Sequence, residues 1–394
     1  MNILYICHRF PYPPKRGGKI RPFNMIQHLS KKHNVTVVSI VRSEEEAKEG
    51  EGLKDFCNKY IMVKLNNKLS WLRTILNLLS TKPSSFGFFY SPEMKKILIN
   101  EYTRNHYDLI FVHCSSVAPY VAENKSVPKI IDFGDMDSQK WLDYSKFKTF
   151  PLSLGYKLEG TKLEAEEKRL AKLFTYSSCT TRAEFETLAS YNVTKNIFWF
   201  PNGVDYEYFK PSNNTYKKYT ICFIGRMDYY PNQECMFRFC KDVFPIVKEK
   251  VPDAKLTIIG ANPTKKIMEL ENLPGVKVTG SVDDVRPYVL ESAVNVAPLN
   301  IARGTQNKIL ESMAMGVPVI ASSLAANGID AIAGEHLLVA DSAEEYVNAI
   351  LQLFSNPLER NRLSRQGRER MLSHHDWEHS MKKLDMLIDR CISM

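Results

Sequence analysis

A chain of 394 residues exceeds one ordinary domain of roughly 100–200 residues, so two or three domains are expected. With 44% hydrophobic and 25% charged residues the composition is that of a globular protein, and no stretch of about 18 uninterrupted apolar residues points to a membrane-spanning helix. The net charge of +9 calls for an anionic partner, but no helix-turn-helix, zinc or RNA-binding signature accompanies it, so nucleic acid fits least well.

In chain order, residues 1–7 run straight into a strand-like pattern, without the basic and apolar regions of a secretory signal. Residues 1–43 hold no Asp or Glu but carry Arg9, Lys15, Arg16, Lys19, Arg21, Lys31, Lys32 and Arg42. Residues 56–92 also lack acids and carry Lys59, Lys64, Lys68, Arg73 and Lys82. A phosphorylated substrate or an anionic membrane suits this half. The eight cysteines form no C-x-x-C pair, which argues against a disulfide framework or a zinc site and fits a reducing cytoplasm.

Short runs rich in Val and Ile predict buried parallel strands over 3–7, 35–41, 109–113 and 129–132, then 219–225, 255–260, 276–279, 294–297 and 317–321. Helical patterns over 19–31, 159–173, 306–315, 343–354 and 379–392 fill the gaps. This alternation reads as a doubly wound α/β protein. The pattern restarts near residue 219, after the turn cluster 201–205. We expect a Rossmann-like domain over 1–200, a second over 201–375, and a helix over 376–394 packing back toward the first. Ligands should bind between the halves, at the C-terminal ends of strands.

Between these elements, Leu65, Leu69, Leu72, Leu76 and Leu79 recur at helical spacing, with Lys64, Lys68 and Arg73 outside the stripe. This is a basic amphipathic helix on an anionic membrane, or a core-packed helix with a solvated basic face. Asp135 and Asp137 form a D-x-D pair, a weak metal signal by itself, which we read as a structural or acceptor-side loop.

The most informative stretch is 302–322. Gly304 gives a turn after a strand, Thr305 is a plausible N-cap, a helix follows, and Gly316 ends it. A helix N-terminus facing a cleft binds phosphate through its free N–H groups and its dipole. Lys308 and Glu311, three apart, share a face. A cation suits a diphosphate and a carboxylate suits the hydroxyl pair of a ribose. On pattern alone, an ordinary strand–helix–strand unit with a surface Lys and Glu explains them equally well.

Glu311 to Val319 resembles the second half of the donor-site signature of glycosyltransferase family 4, whose fold is GT-B: two Rossmann-like domains facing a central cleft. Further resemblances follow in order. Gly17 and Gly18 are similar to the family's N-terminal glycine loop, His113 to its cleft histidine, and Asn202 to Asp205 to its interdomain motif. Phe223 to Met227 resembles the first strand and Gly-Arg turn of the donor domain. With Asp228 to Asn232 and the run from Arg303 to Glu311, the likeness is to the branch associated with exopolysaccharide export.

That resemblance implies a retaining transferase that moves a sugar from a nucleotide-diphosphate donor to a glycan or lipid-linked acceptor in surface polysaccharide biosynthesis. It implies no metal or other cofactor. The donor would meet Gly225, Arg226, Arg303, Gly304, Thr305, Gln306, Asn307, Lys308 and Glu311. Arg226, Lys308, Glu311 and His113 would carry catalysis. The acceptor, a glycan or a lipid-pyrophosphate-linked one, would meet Arg16, Gly17, Gly18, Lys19 and His113. His113 would position a sugar hydroxyl, or else be a buried strand-end histidine. A cytoplasmic protein, peripheral on the inner face of a membrane through residues 64–82, is expected.

Two departures stand out. Arg303 occupies the place of the signature's first glutamate, and Pro231 stands where many members have a lysine. Arg303 then replaces the missing cation at the diphosphate, or pairs with a carboxylate on the donor sugar, or is an exposed loop arginine. Alternative readings are a GT-B sugar-nucleotide epimerase or phosphorylase, and a degenerate transferase acting as a partner subunit.

Overall fold

The structure is a computed structural model that describes residues 1–14, 17–212 and 215–393. They divide into two units, Met1–Phe200 with the chain from Met381 onward, and Pro201–Ser380. The first holds seven strands: β1 (Asn2–Cys7), β2 (Asn34–Val41), β3 (Lys59–Lys64), β4 (Leu109–His113), β5 (Lys129–Gly134), β6 (Tyr176–Cys179) and β7 (Ile197–Trp199). All pair in parallel, in the order β3-β2-β1-β4-β5-β6-β7.

The second unit repeats the plan with β8 (Lys217–Ile224), β9 (Lys255–Ile259), β10 (Val276–Val278), β11 (Ser292–Ala297), β12 (Val319–Ala321) and β13 (Leu338–Val339). Their order is β10-β9-β8-β11-β12-β13, again parallel. Helical crossovers cover both faces of such a sheet, so its strands are apolar throughout instead of alternating. Accordingly β4, β5 and β11 are buried at every residue. Each sheet reverses its strand order at its first strand, between β1 and β4 and between β8 and β11. Crevices at such switch points, beyond the carboxyl ends of the strands, are where open α/β sheets bind ligands.

Nine strands lie where the apolar runs predict them; β3, β6, β7 and β13 were not anticipated. β6 reads Tyr-Ser-Ser-Cys, which looks polar, yet Ser177 and Ser178 are fully buried and the Ser178 hydroxyl bonds the carboxylate of Asp132 at 2.8 Å. β12 starts two residues later than predicted because the Val317 N–H is already engaged, donating to the Ser312 carbonyl at 2.9 Å.

The leucine stripe forms the helix Asn67–Leu78, capped by the Asn66 side chain on the Leu69 N–H. Only Ser70 of this helix is buried, while Leu69, Trp71, Leu72, Ile75, Leu76 and Leu78 are exposed. The core-packed alternative is therefore excluded. Among the described residues no helix is long and apolar enough to cross a membrane. The last helix, Trp377–Ile392, starts in the second unit, and from Met381 on belongs to the first.

Candidate active site

In the first unit, three strand ends supply one network. Asp132, fully buried on β5, accepts from Arg21 Nε and from one Arg21 terminal nitrogen, both at 2.9 Å, and from Ser178. It also bonds His113 Nδ1 at 2.8 Å. Arg21 lies on the helix Gly17–Leu29, stacks 3.8 Å above the Phe200 ring and donates to the Phe200 carbonyl at 3.0 Å. Burial alone would raise the Asp132 carboxyl pKa. The Arg21 charge and the bonds from His113 and Arg21 override it and hold the group well below its usual range.

An ionised Asp132 can only accept, so Nδ1 of His113 carries the proton in that bond. In the neutral ring Nε2 is then an acceptor, and it bonds nothing among the described residues. His113 is thus a strand-end histidine whose orientation is fixed through one nitrogen while the other stays available.

His8 was not singled out from the sequence. It follows β1, whose last residue Cys7 pairs in register with His113, so it sits at the switch point of the first sheet. Its ring lies 6.1 Å from that of His113 and 5.2 Å from Phe89, edge on. Burial, with Arg9, His113 and Lys140 adding to it, pushes its pKa well below the usual value, and its Nδ1 is buried with no partner. The signal that could have exposed it is positional: the first residue after the first strand of a doubly wound sheet.

The other acceptor-side residues separate. Gly17 and Gly18 open their helix and are exposed, and a Cβ on Gly18 would meet nothing closer than Arg9 Cδ at 3.9 Å. Lys19 is buried and paired with Glu46 at 2.7 Å, so its charge is already matched. Arg16 lies outside the described residues. In the D-x-D pair, Asp135 accepts from Thr180 at 2.9 Å and Asp137 pairs with Lys140 at 2.5 Å, so each carboxylate is held by a neighbouring side chain.

In the second unit, Gly225 follows β8 and the loop carrying Arg303, Gly304, Thr305 and Gln306 follows β11, so the two flank the switch point of that sheet. The helix after the loop is Asn307–Ala314, and Ile309, Leu310, Met313 and Ala314 hold its inner face in the core. Full burial of each large apolar side chain contributes about 1.5–3 kcal/mol. Gly316, at φ 71°, ends the helix, with its N–H on the Met313 carbonyl and the Val317 N–H on the Ser312 carbonyl. This is a Schellman motif, which requires a residue tolerant of positive φ.

The expected cap by Thr305 does not form. Gln306 occupies the N-cap position and makes no side-chain cap; its amide instead closes the loop on the Arg303 carbonyl at 3.1 Å. Thr305 stands one residue too early to reach the first-turn N–H groups. Its Oγ1, and Oδ1 of Asn307, are buried without partners. Gly304 adopts φ 62°, and a Cβ on Gly328 would fall 2.1 Å from the Gly304 carbonyl oxygen, so the loop is pressed onto the backbone behind it.

Lys308 Nζ bonds Asn232 Oδ1 at 2.8 Å and lies 4.3 Å from the Phe223 ring centroid. Asn232 Nδ2 in turn donates to the Arg226 carbonyl at 2.8 Å. A Cβ on Gly225 would sit 2.6 Å from Asn232 and 3.1 Å from Lys308 Nζ, so only glycine lets the two segments approach this closely. Asn232 is therefore the tie between the Gly-Arg turn and the helix, a role that its place in a motif did not disclose. Arg226 closes on Asp228 through Nε at 3.0 Å.

Lys308 and Glu311 are half-buried in surface terms, yet enough protein surrounds their charged ends to shift both. Burial lowers Lys308 to about 8. Burial also raises Glu311 to about 7, against the pull of Lys308. No hydrogen bond to the Glu311 carboxylate forms among the described residues. An anion-ready helix terminus, a desolvated cation and an uncommitted carboxylate thus stand within one turn of each other, a combination typical of ligand sites. Asn202 to Asp205 pack elsewhere in this unit: Val204 N donates to the His375 carbonyl at 2.8 Å, and Gly203 is pressed against Trp377.

Residues 218–356 match the family described as Glycosyl transferases group 1. A phosphatidyl-myo-inositol mannosyltransferase of Propionibacterium freudenreichii subsp. shermanii is 27% identical over 164 residues, which span 40% of this chain and 40% of that protein. Among solved structures, a sucrose-phosphate synthase from Thermosynechococcus elongatus superposes over 100% of both chains, with a TM-score of 0.71 and 16% identity. Anabaena HepE in complex with UDP superposes over 99% of this chain and 100% of its own, at 0.70 and 12%. The fold is that of the GT-B glycosyltransferases, and it is the stretch 218–356, in the second unit, that matches the group 1 family.

Proposed function

We propose that this protein is a retaining glycosyltransferase of family 4. It moves a sugar from a nucleotide-diphosphate donor to a glycan or lipid-linked acceptor in surface polysaccharide assembly, without a metal. The observation that carries this reading is the head of the helix Asn307–Ala314, where Lys308, Glu311 and the unpartnered oxygens of Thr305 and Asn307 gather beside the Gly225 turn. Anabaena HepE, similar in fold, was solved in complex with UDP, which supports a nucleotide as the carrier of the donor sugar.

The second unit binds the donor and the first the acceptor. The bond between the sugar's anomeric carbon and the diphosphate loosens toward an oxocarbenium-like state. Charge collects on the departing phosphate, where Lys308, Arg303, Arg226 and the helix N–H groups neutralise it. Glu311 holds the ribose hydroxyls. The acceptor hydroxyl adds on the face the diphosphate leaves, and its proton passes to the leaving phosphate, so no protein base is needed. His113, steadied by Asp132, positions a sugar hydroxyl through Nε2.

The outward apolar row on Asn67–Leu78, with Lys64, Lys68 and Arg73, holds the protein on an anionic membrane. Flotation with anionic liposomes at low salt checks this; a chain that stays wholly in the aqueous fraction contradicts it. For the reaction, the decisive assay is nucleoside diphosphate release from a panel of nucleotide sugars. Wild-type protein should release it slowly without acceptor, and a chain silent on every donor is not a transferase.

A further inference from the structure

The first unit contains a cavity of about 330 Å³ that the reaction above does not use, walled by Arg73, Lys82, Lys95 and Arg169 and floored by Tyr90 and Tyr120. Its size falls within the roughly 300–1,000 Å³ of small-ligand sites. Four cations face one carboxylate, Glu166, and that carboxylate is already held by Arg169 Nε at 2.9 Å. Arg73 donates to the Tyr90 carbonyl at 2.9 Å. The ammonium groups of Lys82 and Lys95 bond nothing among the described residues.

The walls are fixed before any ligand arrives. The Glu159 carboxylate takes the N–H groups of Ser84 and Ser85 at 2.8 and 2.9 Å and so anchors the short helix Ser84–Phe89. On that helix Gly87 touches the helix Asn67–Leu78 so closely that a Cβ would lie 2.8 Å from the Arg73 carbonyl oxygen. Lys162 Nζ donates to the carbonyls of Asn77 and Leu78 at 2.9 and 3.0 Å. Tyr120 is clamped by the Ser91 N–H at 2.6 Å and the Phe89 carbonyl at 2.9 Å. The frame and Arg73, fixed on the Tyr90 carbonyl, are thus set in advance, Arg169 is already matched by Glu123 and Glu166, and the unbonded ammonium groups of Lys82 and Lys95 supply the charge open to an anion.

Two further observations narrow the ligand. Arg73 and Asn77 reach the cavity from the helix whose other residues expose the apolar row, so cationic wall and greasy surface share one element. Ser116, also in the wall, stands three residues after His113, in the turn that follows β4. We propose that this cavity holds the phosphate or pyrophosphate headgroup of an amphiphilic acceptor, whose tail lies along Asn67–Leu78 and whose sugar is presented toward His113. The proposal rests on the transferase reading for the sugar's role, but not for the headgroup site itself.

The test uses the full chain and calorimetry with two probes, farnesyl diphosphate and inorganic pyrophosphate, on wild type, on the double variant Lys82→Glu/Lys95→Glu, and on Lys308→Ala. Both lysines are exposed, so the charge reversal leaves the fold intact. We expect farnesyl diphosphate to bind wild type at least about tenfold tighter than inorganic pyrophosphate, since part of its isoprenoid chain leaves water against the exposed apolar row. Loss of two charge-assisted contacts should weaken it by at least about tenfold in the lysine variant, while Lys308→Ala leaves it unchanged. Equal affinity for the two probes would overturn the lipid assignment, leaving a site for soluble phosphate. Binding that survives charge reversal, or that disappears in Lys308→Ala, would place the diphosphate elsewhere and overturn the site. Binding of nucleoside diphosphates, followed on the same proteins, reports on the donor reading alone; its absence with headgroup binding intact sinks that reading and not this one.

Discussion

Asp132, fully buried on β5, and Glu311, half-buried on the helix Asn307–Ala314, are two desolvated carboxylates treated in opposite ways. Asp132 accepts from Arg21, His113 and Ser178 and is held strongly acidic. Glu311 receives no hydrogen bond among the described residues and is raised to about 7. A buried charge whose partners are complete is a positioning device; one whose partners are missing is waiting for a ligand. The first unit thus spends its ionic network on orienting His113, and the second leaves the Glu311 carboxylate without a hydrogen bond among the described residues and ties Lys308 only to the neutral Asn232, so neither charge is matched.

The sharpest way to break this contrast is Asp132→Asn. It leaves the Arg21 charge buried without its anion, and losing one partner of a buried pair costs about 3–5 kcal/mol. A large fall in the urea midpoint at pH 7 is expected. Because the folded pKa of Asp132 lies below its unfolded value, its contribution is complete above the ordinary carboxyl value of 3.8 and is lost as pH falls below it toward the folded value. The gap between wild type and variant should therefore stay constant from pH 5 to 8 and close only in stronger acid. Equal midpoints at neutral pH would mean that the network is not what holds this corner together.

Next in size is Lys308→Ala. Removing one pre-placed donor from a developing charge costs about 10²–10³ in kcat. The same substitution should leave the fold sound, since Lys308 makes no complete ion pair and its burial disfavours the charge. Donor turnover and thermal stability should thus move independently here, and together at Asp132. A Lys308→Ala protein with wild-type kcat would remove this residue from the reaction.

How much of this was legible beforehand follows the same division. Gly304, Gly316 and the run from Lys308 to Glu311 could be read because turn, helix and cap leave local marks in sequence. Nine of the thirteen strands were legible for the same reason, as continuous apolar runs, and the four that were missed include the outer strands β3, β7 and β13. Asn232 and His8 were not, because each acts through partners far along the chain: Asn232 through Lys308 at 2.8 Å, His8 through a ring 6.1 Å away on β4. Strand β6 was hidden because it carries two buried serines where apolar residues were sought: the Ser178 hydroxyl serves Asp132, and that of Ser177 is buried without a partner. Thr305 was misread as a cap because a one-residue offset decides whether a hydroxyl reaches the helix N–H groups.

A milder test uses pH alone. Diphosphate binding favours protonated Lys308, so affinity should fall as pH rises past about 8. A ribose hydroxyl donates to ionised Glu311, so affinity should rise as pH climbs through about 7. Titration calorimetry with a nucleoside diphosphate from pH 5.5 to 9.5 should trace a bell with its maximum between these values. Glu311→Gln should flatten the acid limb and Lys308→Ala the alkaline one. A flat profile would mean that the uncommitted pair does not meet the nucleotide.

The smallest expected effect concerns Arg303, which stands where the family signature has a glutamate. Its carbonyl is used to close the loop by the Gln306 amide, while Gly304 beside it is fixed by its positive φ, so the backbone at 303 is set independently of the side chain. Arg303→Glu reverses the charge at this fixed place in the loop. If the guanidinium faces the diphosphate, nucleoside diphosphate affinity falls by about tenfold, the worth of one charge-assisted contact. If it instead pairs with a carboxylate on the donor sugar, the bare nucleotide binds as before and only uronic acid donors lose turnover relative to neutral ones. Measuring the same variant with the nucleotide and with both donor types separates these roles, and loss in neither would make Arg303 a loop residue with no part in donor recognition.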